Sequence, residues 1–116
     1  MANEFTNAIV QNVNHVAGTG SVLYTALAGK TCIMLELDVA NTSSNVIEAS
    51  VEILDRAVST TAWRYLVKNA PVPAGGSLMV IAGQKIVLAP EDAIRVTSSA
   101  ASAMDVVAAI LEDVNP

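Results

Sequence analysis

Prolines and glycines divide the middle of this chain into pieces too short for helices. Lys68-Asn69-Ala70-Pro71-Val72-Pro73-Ala74-Gly75-Gly76-Ser77-Leu78-Met79-Val80 is followed by Gly83-Gln84-Lys85-Ile86-Val87-Leu88-Ala89-Pro90-Glu91-Asp92-Ala93-Ile94-Arg95-Val96. A proline ring fixes φ and leaves no N–H, which excludes Pro71 and Pro73 from a paired central strand and marks a corner there. Gly75-Gly76 permits a tight reversal. The order is strand, double-proline corner, strand, turn, strand, acidic turn, strand. It predicts short strands over residues 78–82, 85–88 and 93–97, the punctuation of an antiparallel sandwich or barrel.

Upstream, side chains alternate. Ile33, Leu35, Leu37 and Val39 take turns with Met34, Glu36 and Asp38, and Ile47, Ala49, Val51 and Ile53 with Glu48, Ser50 and Glu52. A period of two sends the first set of each strand into a core and the second toward solvent. The polar run Asn41-Thr42-Ser43-Ser44-Asn45 between them reads as the loop of a hairpin. On this reading Leu35→Ala costs about 2–5 kcal/mol. Further strands are expected over 21–26 and 62–67, with a longer connection over 54–60.

Residues 8–13 read as a strand or as part of an extended arm. The chain thus divides into 1–16, an N-terminal arm or first strand, and 17–116, a sandwich domain. An arm carrying Asn3, Asn7, Asn12 and Asn14, with Phe5, Ile9 and Val10 as anchors, would be a tether that orders on a neighbouring subunit. Over 100–112, Ala and Met favour helix, whereas the short apolar run and the all-β context favour a final strand. The expected fold is all-β, a single antiparallel β-sandwich of immunoglobulin-like or jelly-roll-like form.

Composition bears on partners. Of 116 residues, 53% are hydrophobic and 15% charged, against about 25% charged in an average domain. Apolar surface should remain after folding, as in a subunit of an assembly; a homo-oligomer of closed rotational symmetry is expected. The net charge is −5, and the cations Lys30, Arg56, Arg64, Lys68, Lys85 and Arg95 are scattered. Nucleic-acid binding needs a basic patch and is not expected. There is no charged start followed by an apolar run, and no apolar stretch near the roughly 20 residues that span a bilayer. No membrane partner is expected, and synthesis is expected in the cytoplasm.

Chemistry-bearing groups are few. His15 is the one histidine and Cys32 the one cysteine. No intrachain disulfide can form, and the usual zinc sites need more ligands. His15 reads as a loop residue and Cys32 as a small buried hydrophobe. Glu91-Asp92 and Glu112-Asp113 are carboxylate pairs, but sequence neighbours on a strand point to opposite faces, and Pro90-Glu91-Asp92 reads as a turn. Trp63 and Tyr65 share one face of a regular strand: a sugar-stacking platform, or, as two of the four aromatic residues, a core or subunit interface. No catalytic, cofactor-binding or metal-ligating residue is assigned, and no enzyme is expected.

The stretch Asn69-Ala70-Pro71-Val72-Pro73-Ala74-Gly75-Gly76-Ser77-Leu78, with Gly83-Gln84-Lys85-Ile86-Val87-Leu88, Glu91-Asp92-Ala93-Ile94-Arg95-Val96 and Asp105-Val106-Val107-Ala108-Ala109-Ile110-Leu111-Glu112, resembles small β-rich virion proteins of tailed bacteriophages. Thr25-Ala26-Leu27-Ala28-Gly29-Lys30-Thr31 and Val39-Ala40-Asn41 fit the same pattern, so the resemblance covers roughly residues 22–114. Pro90-Glu91-Asp92 stands where those proteins have an acidic-glycine turn, and Ala109 where serine is common. The resemblance implies a structural place in the virion: capsid decoration or cement, neck or collar, or tail. It implies as partners, besides the copies expected from composition, other virion proteins and among them the major capsid protein, with location in the virion and assembly in the host bacterial cytoplasm. It implies no catalytic residue. A carbohydrate-binding module built on Trp63 and Tyr65 is the alternative of another class.

Overall fold

The computed structural model describes residues 4–16 and 18–114. It contains β1 (Glu4–Val10), β2 (Ser21–Thr25), β3 (Cys32–Asn41), β4 (Ile47–Leu54), β5 (Trp63–Val72), β6 (Ser77–Leu88), β7 (Ala93–Ser98) and β8 (Met104–Glu112). They form two four-stranded antiparallel sheets, ordered β1-β8-β3-β6 and β2-β7-β4-β5. Only β4 and β5 are neighbours both in sequence and in a sheet; elsewhere the chain passes from one sheet to the other. That order is a jelly roll, and it decides between the two sandwich forms expected. Residues 100–112 resolve as a turn and the strand β8, and the described residues include no helix.

The core lies between the sheets. Met34, Leu37, Ile81, Leu88, Ile94, Met104 and Ile110 are its largest fully buried side chains. Of the residues expected there, Leu37, Val39, Ile47, Ala49 and Val51 are buried, and Ile53 packs against them in part. Ile33 and Leu35 are not core residues, which corrects the simple alternation. Met34 pairs with Ile110 and Ile86, and Glu36 with Ala109 and Ala82. Leu35 is thus an extra residue, a β-bulge that reverses the phase of β3. Before the bulge Cys32 and Met34 face inward; after it Leu37 and Val39 do.

Three further expectations are corrected. β3 and β4 are not a hairpin, because they lie in opposite sheets. The loop between them is shaped by buried Asn41, whose Nδ2 donates to Asn45 O at 2.7 Å and to Val72 O at 3.0 Å. The proline corner is narrower than its sequence: Pro71 stands inside β5, opposite Glu48. β5 is an edge strand with a partner on one side only, where a missing N–H is tolerated. The reversal itself is a turn in which Gly76 N donates to Pro73 O at 2.9 Å, with Gly75 at φ 69°. Residues 78–88 do not form two strands. β6 runs through Gly83 (φ 109°) and Lys85 (φ 57°) as one strand, bulged opposite the bulge of β3.

The N-terminal segment is a strand rather than a free arm. Every residue of β1 pairs with β8, from Glu4 opposite Glu112 to Val10 opposite Val106. Ala8 and Val10 pack on the core, Val13 is buried in it, and Ile9 and Phe5 face outward. Asn3 lies outside the described residues.

Leu37→Ala should cost about 2–5 kcal/mol of unfolding free energy, because a fully buried leucine leaves a cavity. Leu35→Ala should cost less than half as much. Urea denaturation of the two variants checks this; equal losses would place Leu35 in the core.

Candidate functional site

The same alternation that fills the core leaves each sheet an outer face, and the two faces differ in chemistry. On β1-β8-β3-β6 the register aligns two apolar rows. Phe5, Leu111, Ile33 and Val87 are successive partners across the four strands. Ile9, Val107, Asp38 and Met79 form the second row. Phe5 is 77% exposed, Met79 67%, Ile9 66% and Val87 64%. Side chains of this size, aligned in two rows on either side of Asn7, Ala109, Glu36 and Ala82, are not the scattered apolar residues of an ordinary surface.

Two carboxylates sit in this apolar face. Glu36 lies in the row between the two, and Asp38 interrupts the second. Asp38 Oδ1 is buried and has no hydrogen-bond partner among the described residues. The Glu36 carboxyl is held above its ordinary range, first by a hydrogen bond to Asp38, then by the negative charge there and by desolvation.

The outer face of β2-β7-β4-β5 is polar and self-satisfied. Arg95 Nε donates to Glu52 Oε1 at 2.9 Å, and Nη2 donates to Oε2 at 3.2 Å. Both side chains are largely buried. The Arg95 guanidinium also lies 4.3 Å from the centre of the Trp63 ring. Trp63 and Tyr65 do share this face, opposite Leu54 and Glu52. Trp63 is covered by Arg95, however, so the pair is not an open double platform. Tyr65 remains exposed and lines a pocket of about 230 Å³ with His15, Glu48, Lys68, Asn69 and Thr97.

The remaining singled-out residues serve the fold. Cys32 is fully buried, with the Tyr24 hydroxyl 3.4 Å from its Sγ. That hydroxyl, on β2, donates to Glu112 Oε2 on β8 and so links the sheets. Burial, then the hydrogen bonds to Cys32 and Glu112, push the Tyr24 phenol well above its ordinary range. Asp113 pairs with Lys30 at 3.2 Å. Asp92 is buried in the acidic turn and accepts from Arg56 N at 2.9 Å and Ala89 N at 3.0 Å. Among the described residues no group of three or more His, Cys, Asp or Glu is placed to hold a metal ion. No described helix is long and apolar enough to cross a membrane.

The sequence missed both surfaces in part. The apolar rows exist only once β1 and β6 flank β8 and β3, which no local pattern states. Lys68 and Asn69 escaped notice because their placement depends on a bulge in β5. Comparison with protein-family models, with curated proteins and with solved structures returned no match. The likeness to phage virion proteins therefore rests on the quoted residues.

Arg95→Ala should cost about 3–5 kcal/mol, because it strands a buried Glu52 carboxylate; chemical denaturation reads the loss. Glu36 gives the second expectation. Its raised folded-state value means stability that is fully present below the ordinary glutamate range and is lost as pH rises through the raised value. Glu36→Gln keeps a donor to Asp38 and cannot ionise. Its urea midpoint should fall less than that of the parent across this interval; parallel curves would show that the fold does not hold the Glu36 carboxyl above its ordinary range.

Proposed function

We propose that the chain is a non-enzymatic structural subunit of a tailed-phage virion, a capsid decoration or cement subunit that attaches through the outer face of β1-β8-β3-β6. The observation that carries the reading is the set of large apolar side chains exposed on that face, Phe5, Ile9, Met79, Val87 and Val107, aligned in two rows with half-buried Leu111 and Ile33. The likeness of residues 22–114 to phage virion proteins supports it independently. Covering the rows removes apolar side chains from water, the main drive of stable association.

The charge on the face supports one kind of cover over another. A second copy packed face to face would bring two Glu36–Asp38 pairs together, and like charges in a drying interface repel. A surface of the major capsid protein that offers a lysine or arginine among apolar residues would instead set opposite charge against this acidic pair, at the exposed Glu36. Self-association, also expected from composition, then uses other surfaces of the sandwich.

Quantitative mass spectrometry of purified particles tests the reading. Copy numbers close to those of the major capsid protein are expected of a decoration subunit. A few to a few dozen copies would move the chain to the neck or tail, and its absence from particles would end the virion reading. Ile9→Asp, on an exposed site of a row, should fold as the parent does and lose retention on particles by about tenfold or more, the effect of a charge buried without a partner.

A further inference from the structure

The outer face of β2-β7-β4-β5 carries a feature that attachment through the opposite sheet does not require. Its pocket is shaped by backbone irregularities rather than by loose loops. Ala49 pairs with Ala70 and Val51 with Val67, so Lys68 and Asn69 both stand opposite Ser50. This is a bulge, a device that re-aims side chains. Asn69 adopts φ 52° there. It is clamped in both directions: its N–H donates to Ser50 Oγ at 3.0 Å, and the Ser50 hydroxyl donates to Asn69 Oδ1 at 3.2 Å. With Oδ1 so engaged, the amide nitrogen of Asn69 is the part of the side chain left to donate at the pocket wall.

The opposite wall is equally fixed. Gly20 presses on β7 so closely that a Cβ there would lie 2.7 Å from Val96 O. Ser98 N donates to Asn14 O at 3.1 Å. These two contacts hold the β1–β2 connection over the sheet and bring His15 to the pocket rim.

The groups presented are mixed and nearly balanced in charge. Glu52 is neutralised by Arg95, leaving Glu48 and Lys68 as the charged pair. Lys68 Nζ lies over one face of the Tyr65 ring, 5.2 Å from its centre, and the residue is still 53% exposed, so a ligand would meet the ring beside the ammonium. A phosphate or other strong anion would want clustered free donors, and a metal ion clustered carboxylates; here the Ser50 and Ser98 hydroxyls already donate to Asn69 Oδ1 and Ala100 O, and Glu52 is taken by Arg95. The pocket offers one aromatic ring beside alternating donors and acceptors, which match the C–H face and the hydroxyl ring of a pyranose. The volume of about 230 Å³ is below the roughly 300–1,000 Å³ of pockets for drug-sized ligands, so it admits one sugar unit.

We propose that this pocket binds a single neutral hexose-type sugar, held by the Tyr65 ring and by hydrogen bonds from Asn69 and to Glu48. The site is separate from the apolar face and does not depend on the virion reading.

Saturation-transfer NMR on the full chain tests it, with glucose, galactose, N-acetylglucosamine and N-acetylneuraminic acid as probes. Transfer to the ring protons of at least one of the three neutral sugars is expected. Tyr65→Ala and Asn69→Gly should each weaken it by about tenfold or more. Glycine keeps the positive φ at position 69, so that variant should melt close to the parent. Three results would overturn the proposal: no transfer to any neutral sugar, transfer to N-acetylneuraminic acid alone, or undiminished transfer in both variants.

Discussion

The burial of two inner sheet faces against each other is the interaction on which everything else depends. Met34, Leu37, Ile81, Leu88, Ile94, Met104 and Ile110 supply that layer, and no aromatic side chain is among its fully buried members. The strands that share a sheet are mostly far apart in sequence, and β1 pairs with β8 from opposite ends of the chain. Neither sheet can therefore be completed before the chain has crossed between layers several times. Such non-local pairing defers its reward until late, which makes folding slow and cooperative.

Polar groups then fix how the layers meet. Asn41, at the end of β3, reaches the carbonyl of Val72 at the end of β5 in the other sheet. Tyr24 on β2 reaches Glu112 on β8 at the other side of the sandwich. Each group is buried or half-buried and has its partner, so the links specify the alignment of the sheets rather than adding much net stability. Of the four aromatic residues only Tyr24 packs against the layer, and Phe5, Trp63 and Tyr65 are displayed on the outer faces. One face becomes apolar around the Glu36 and Asp38 carboxyl groups, and the other polar with a walled pocket.

The fold class was legible because alternation and proline–glycine punctuation are local signals. Leu37, Val39, Ala49 and Val51 were placed correctly by period alone. The error at Ile33 and Leu35 has a definite origin: one bulged residue reverses the phase, and both phases of β3 are apolar before it, so composition could not reveal the slip. The β3–β4 hairpin failed for a related reason, since in-out alternation looks the same whether two strands share a sheet or face each other. Strand partners are properties of topology, and so the apolar rows and the bulge at Lys68 and Asn69 could not be read from the chain. The aromatic pair was seen, but not the guanidinium that covers Trp63.

Methionine oxidation tests the central claim, that the β3 bulge sets an apolar outer face which assembly covers. Met79 is 67% exposed on that face, while Met34 and Met104 are fully buried. Peroxide treatment of the free folded chain should oxidise Met79 and spare the other two, and on purified virions Met79 should be protected as well. Oxidation of Met34 as fast as Met79 would contradict the phase of β3, and undiminished oxidation of Met79 on the particle would contradict attachment through this face.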